Sequence, residues 1–236
     1  FIDNPINFQG ELIKQPILIG DSKGNYLKSH SDLFAQFGFN LDFECRGGAR
    51  FVDYYYWLQS NLYKKVNKYG SIVLYIFLGT CDLTLRKGKF IELRHENHDN
   101  AVSYLIYQID RFRSFIARFP SVSVVFLEIP PYSIQEWNKS RGHRDPKSFL
   151  SQDLALYERL CSVNEHIKAV NDQKHFRSPR FNLDLRRTRK SKGDSHRRVS
   201  INFSCFKDGV HPNPLLARFW LKKIIVLIIE NCKRKS

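Results

Sequence analysis

Ile17-Leu18-Ile19-Gly20-Asp21-Ser22 is the stretch that decides the fold. Three apolar residues stopped by Gly-Asp read as a short strand buried on both faces, as strands of parallel sheets are. The residues after it are helical in pattern to about Gln36, closed by Gly38. Further along, the alternation repeats. Phe51 to Val66 carries Tyr55, Leu58, Leu62 and Val66 at helical spacing, and Ser71 to Leu78 is a β-branched and aromatic run ending at Gly79. Val102, Leu105, Ile109, Phe112 and Ile116 mark one face of another helix. Val122 to Ile129 reads as a strand ended by Pro130-Pro131. A helix is expected from Ser151 to about Val170, with Leu154, Tyr157, Leu160 and Ile167 on its buried side. Pro212 and Pro214 introduce a last helix reaching Cys232. The expectation is one domain over residues 1–236, a three-layer α/β/α fold with a central parallel sheet.

Two segments interrupt this pattern. Tyr132 to Lys147 reads as a polar loop, and 176–199 as a longer basic insertion rich in Arg, Lys and Ser. Loops of that length in compact domains are usually functional or disordered.

The charge is lopsided: 38 Lys and Arg against 23 Asp and Glu give +15, with a pI near 9.7. A fold does not require such an excess, which implies affinity for polyanions. Apolar residues at 42% and aromatics at 14% exclude a disordered chain. The five cysteines (Cys45, Cys81, Cys161, Cys205, Cys232) are scattered, with no metal-ligand spacing, so a reduced intracellular compartment is expected and no metal or cofactor is implied. The chain opens on Phe1, as an excised domain of a longer protein would. No run approaches the roughly 18 apolar residues that span a bilayer.

In open parallel sheets, ligands bind beyond the carboxyl ends of the strands. Three short motifs fall there: Gly20-Asp21-Ser22, Gly79-Thr80-Cys81-Asp82, and Asp208-Gly209-Val210-His211-Pro212 before the last helix. A glycine pair, Gly47-Gly48, follows Phe43. In this order they resemble the four blocks of the SGNH/GDSL hydrolase family, over residues 17 to 212. The resemblance implies a flavodoxin-like α/β/α fold, Ser22 as nucleophile, His211 as general base and Asp208 as the acid that orients it. It also implies an oxyanion hole from the Ser22 N–H, the N–H of Gly48 or its neighbour Gly47, and the side chain at position 81. The family has Asn there and this chain has Cys81, a poor donor compared with a carboxamide.

A closer resemblance is to the C-terminal hydrolase-like domains of the Oskar family of insect germ-plasm organisers. It rests on the segment 1–20 leading into the first motif, the degenerate Leu78-Gly79-Thr80-Cys81-Asp82 block, and the basic C-terminal half ending in Gly209-Val210-His211-Pro212-Asn213. It implies a non-enzymatic, RNA-binding domain that contacts mRNA and germ-granule proteins in cytoplasmic granules. The chain departs from that family in keeping Ser22, Asp208 and His211. The rival reading is an active serine esterase or lipase.

The candidate RNA surface draws on several basic clusters, with Arg141, His143 and Arg144 in the 132–147 loop and Lys222 and Lys223 on the last helix adding to the three that follow. Arg46 and Arg50 flank the ligand end of the sheet. Arg186, Arg187, Arg189, Lys190, Lys192, Arg197 and Arg198 form the densest run, which also reads as a nuclear import signal. Lys233, Arg234 and Lys235 close the chain. Such groups give salt-dependent contacts to phosphates, and Phe176, Phe181, Phe203 and Phe206 lie near enough in sequence to stack on unpaired bases.

Overall fold

In a computed structural model of the chain, the described residues are 6, 8–190 and 197–234. The first half contains β1 (Gln15–Gly20), α1 (Ser22–Lys28), β2 (Asp42–Cys45), α2 (Phe51–Tyr69), β3 (Ile72–Phe77), α3 (Thr80–Leu83), β4 (Thr84–Lys87) and β5 (Phe90–Leu93). The second contains α4 (His98–Ile116), β6 (Val122–Phe126), α5 (Ile134–Ser140), α6 (Leu150–Asp172), α7 (Phe181–Asp184), β7 (Arg186–Lys190), β8 (Arg197–Ile201) and α8 (Pro214–Cys232).

The central sheet is parallel, in the order β2-β1-β3-β6. Side chains along a strand alternate between faces, and here both faces are covered. Ile17, Ile19, Leu74, Ile76 and Phe126 pack with α2, α4 and α6 on one side. Leu18, Val73, Tyr75, Phe77 and Val125 pack with α1 and α8 on the other. This is the three-layer architecture expected from the alternating pattern. Its chain order runs from β1 to β2 on one side, then crosses to β3 on the other, so a crevice opens between the carboxyl ends of β1 and β3.

Among the described residues, the outer edge of β6 has no strand partner. Helix side chains take that role instead. Asn171 accepts from the Phe126 N–H (3.1 Å) and donates to its carbonyl (2.7 Å). Asn164 does the same for Ile129, three residues past the end of β6, at 2.8 and 2.9 Å.

Several local expectations are corrected. The helix expected up to Gln36 breaks at Ser29-His30 and resumes as a 3₁₀ turn over Ser31–Gln36. The serine hydroxyls and His30 there are poor helix formers, and Ser29 Oγ donates back to the Tyr26 carbonyl. Leu154 is 62% exposed, because the phase of α6 is set by Leu156, Leu160, Val163, Ile167 and Val170. The polar loop over 132–147 contains α5, capped by Ser133, whose hydroxyl accepts the Glu136 N–H at 3.0 Å. The basic insertion carries α7 and an antiparallel hairpin of β7 and β8, anchored below by buried Phe181 and Leu185. A second hairpin, β4–β5, turns at Gly88-Lys89 and had no clear sequence signal. Among the described residues, no helix is long and apolar enough to cross a membrane, and no cluster of His, Cys, Asp and Glu could hold a metal.

Candidate active site and basic surfaces

β1 delivers its last residues into the crevice. Asp21 is fully buried and N-caps α1, its Oδ1 accepting the Lys23 N–H at 2.9 Å. Ser22 is therefore the first helical residue. Its N–H has no acceptor within the helix and points out of the N-terminus. Its hydroxyl lies 2.8 Å from His211 Nε2, and His211 Nδ1 lies 2.8 Å from Asp208 Oδ2. Residues 189 positions apart in sequence thus form one hydrogen-bonded chain. Such a chain lets the hydroxyl pass its proton to the imidazole as the oxygen attacks an electrophile.

The 208–211 turn is held tightly. Asp208 Oδ1 accepts the main-chain N–H groups of Val210 (3.2 Å) and His211 (2.8 Å). Burial would raise the Asp208 pKa, but the hydrogen bonds from the His211 ring and main chain outweigh it and hold the carboxyl below its usual value. Gly209 has φ +84, and a Cβ there would stand 2.7 Å from Glu136 Cβ and 2.9 Å from the Trp137 nitrogen. Only glycine lets this turn pack against α5. The His211 ring stacks on Tyr26, with centroids 4.9 Å apart and planes at 25°, and Trp137 sits 5.6 Å away on another side. The imidazole is fixed by rings as well as by its two hydrogen bonds.

The second glycine pair forms a turn in which Ala49 N–H donates to the Arg46 carbonyl at 3.2 Å. Gly48 occupies the third position with φ +77, as a type II turn requires. A Cβ built on Gly47 would lie 3.9 Å from Ser22 Cβ, whereas one on Gly48 would meet nothing. Gly47 thus lies against Ser22, and Gly48 takes the left-handed position of the turn they share. Arg46 N–H donates to the Gly20 carbonyl at 3.0 Å, tying that turn to the end of β1.

Cys81 lies on α3, at the end of β3. Burial first, and then the nearby Asp21 carboxylate, push its thiol up to about 12, so it is protonated. It can offer only a weak S–H donor. Beside it Asp82, 1% exposed, accepts the Phe51 N–H at 3.2 Å. Burial raises that carboxyl to about 7, against the lowering effect of the Phe51 N–H, Arg50 and Arg94.

The basic candidates separate. Arg46 is exposed and lies 3.6 Å from Asp53. The Arg50 main chain enters the N-terminal cap of α2, its N–H donating to Asp53 at 2.8 Å. Arg186 and Arg187 are exposed on β7, where Arg189 and Lys190 follow, with Arg197 and Arg198 on β8. Lys192 and Lys235 lie outside the described residues. Lys233 and Arg234 are exposed just past α8, beside the Ile13 N–H bond to the Cys232 carbonyl. That is the amino end of the sheet, opposite the Ser22 end, so the basic groups do not share one face. Of the proposed stacking rings, Phe181 and Phe206 are core residues, and Phe176 and Phe203 are half-buried.

No family model and no curated protein matches the chain by sequence. Solved structures do match in shape. A lipase/acylhydrolase from Enterococcus faecalis is similar with a TM-score of 0.56 at 13% identity, over 94% of this chain and 99% of that one. An acetylxylan esterase from Geobacillus stearothermophilus gives 0.54 at 15%, over 94% and 97%. A Slackia heliotrinireducens protein assigned to the SGNH hydrolases gives 0.52 at 13%, over 91% and 98%. The fold is that of the SGNH hydrolases. Within this SGNH fold, Tyr26, Trp137 and Lys23 are site residues that sequence reading passed over. A lysine directly after the motif serine was the one available signal. Lys23 is 2% exposed, with Nζ 2.7 Å from Asp21 Oδ2 and bonded to the Thr80 hydroxyl.

Proposed function

We propose that the chain is a serine ester hydrolase. The observation that carries this reading is the unbroken hydrogen-bonded chain from Ser22 through His211 to Asp208. Ser22 Oγ attacks the ester carbonyl carbon while its proton passes to His211 Nε2, and Asp208 stabilises the imidazolium. The negative oxygen of the tetrahedral intermediate faces the N–H of Ser22 and that of Gly48 or its neighbour Gly47. The carbon–oxygen bond to the alcohol then breaks, with His211 returning the proton to the departing oxygen. Water, deprotonated by the same imidazole, releases the acid from Ser22 and restores the hydroxyl. Cys81 leaves the oxyanion with one strong donor fewer, which typically costs about 10²–10³ in rate. The reading is therefore of a slow hydrolase with intact activation. Reaction with a fluorophosphonate probe, located by mass spectrometry, tests it: a label on Ser22 that is absent after His211→Ala supports it, and an unlabelled protein refutes it.

The β7–β8 hairpin supports a second activity, RNA binding. Its register sets Arg189 opposite Arg198 and Lys190 opposite Arg197. The same hairpin carries Arg186 and Arg187, both exposed, and such groups give salt-dependent contacts to phosphates. In the Oskar family such binding serves mRNA and germ-granule assembly, and the same role is proposed here. Anisotropy titration with single-stranded RNA across a salt series tests it, with affinity expected to fall steeply as salt rises.

A further inference from the structure

His211 Nε2 must protonate the departing alcohol, so the alcohol part of a substrate lies on the His211 side of Ser22 and the acyl part on the other. What stands on the His211 side is informative. Trp137 is 5.6 Å from the imidazole, and the Arg141 guanidinium lies over the Trp137 ring at 4.4 Å. Arg141 follows the last residue of α5 directly, and its main-chain N–H donates to the Trp137 and Asn138 carbonyls at 3.1 and 3.2 Å. The side chain is therefore held in place at both ends.

Its charge pairs with the Asp208 carboxylate without a hydrogen bond, which leaves its donors open. Arg141 Nη2 is 3.6 Å from Asp208 Oδ2, beyond hydrogen-bonding range. Asp208 already takes three hydrogen bonds, from the Val210 and His211 main chain and the His211 ring. The guanidinium makes no hydrogen bond to any described residue. At 44% exposure it presents its N–H fork to the space beside the relay. A planar fork of that kind recognises a carboxylate or phosphate through paired hydrogen bonds.

Resting on the hydrolase reading, we propose that Arg141 is a specificity-determining residue that binds an anionic group on the alcohol part of the substrate. The preferred substrates are then acyl esters of negatively charged alcohols. Trp137 contributes a flat apolar wall for the same part.

The test compares two acetyl esters of equal shape, 4-acetoxybenzoate and its uncharged methyl ester. The ratio of their kcat/KM values, anionic over neutral, is measured for the parent chain, Arg141→Gln and Arg141→Lys. The expected result is a ratio that falls about tenfold in Arg141→Gln and is partly restored in Arg141→Lys. A ratio unchanged by Arg141→Gln overturns the proposal. So does an equal loss on both esters accompanied by a displaced pH–rate profile, because Arg141 then acts through Asp208. Fluorophosphonate labelling of the same preparations separates the two levels. Labelled Ser22 with an unchanged ratio leaves the hydrolase standing without its anion selectivity, and absent labelling removes both.

Discussion

Lys23 and Asp21 form an ion pair with side chains 2% and 0% exposed, one on each side of Ser22 in sequence. Two charges out of water are costly unless each is fully engaged. Here Asp21 also accepts a main-chain N–H from α1, and the ammonium also donates to Thr80 and lies 5.5 Å over the Phe77 ring. Thr80 belongs to the motif after β3, so the pair fastens the start of α1 to the start of α3. The two walls of the crevice are thereby held in register beneath the serine. Lys23→Met leaves the Asp21 carboxylate buried without its partner and is expected to lower unfolding stability by about 3–5 kcal/mol. Urea denaturation followed by tryptophan fluorescence measures the loss, and a change under about 1 kcal/mol, the level of an exposed pair, would show that the pair does not fasten the crevice.

Ser22→Ala and His211→Ala are each expected to lower kcat for 4-nitrophenyl acetate by about 10⁴-fold or more, with the double variant no worse than the more damaged single one. Residues that act as a unit behave in this non-additive way. Multiplying losses would mean that the two groups act independently.

Cys81→Asn restores a carboxamide donor where the thiol is weak. The expected gain in kcat is about 10²–10³ with little change in KM, since the missing bond matters in the transition state. Steady-state kinetics on the same ester read this. A flat response would place the rate limit elsewhere than the oxyanion.

Asp82 makes stability depend on pH with an unusual sign. Its folded pKa is raised by burial from the ordinary value of 3.8 to about 7. Between those values the folded chain holds a proton that the unfolded chain has released. Stability is therefore greatest at the acid side of this window and declines as pH rises through it. Asp82→Asn keeps an acceptor for the Phe51 N–H and removes the titration. Denaturation midpoints measured from pH 4 to 7 should lose a downward slope in the variant, and identical slopes would refute the assignment.

Charge reversal at Arg186 and Arg187, both exposed on β7, is expected to weaken RNA binding and reduce its salt dependence by about two counter-ions. Reversal at Lys233 and Arg234, at the other end of the sheet, serves as the comparison. Equal effects from both pairs would mean diffuse attraction to a +15 chain and no hairpin site.

Three of the four strands of the main sheet and the three relay residues were legible in sequence for a physical reason, while the half-buried, acidic β2 was not. Strands such as Ile72–Phe77, buried on both faces, leave unbroken apolar runs, and a Ser, an Asp and a His at strand ends need particular neighbours to be useful. The β7–β8 hairpin was not legible, because a strand pair standing on the surface needs few apolar residues and its charge masks the alternation. Leu154 was misassigned because one apolar residue fits either of two adjacent helical phases until the rest of the face is known. Which of Gly47 and Gly48 takes φ +77 in the turn was not legible either, since either order reads alike in sequence. Tyr26 and Trp137 reach His211 only through tertiary packing.

The asparagines along β6 bear on how the molecule behaves at high concentration. A terminal strand with open N–H and C=O groups is a template on which a second molecule can add its own strand. Asn171 and Asn164 occupy that template with their amides, each matching both the donor and the acceptor of one residue. One rung of the four-stranded sheet, at Phe126, and the loop residue Ile129 beyond it are satisfied by side chains. At these two residues an approaching strand meets no open donor or acceptor, and both amides come from a single helix.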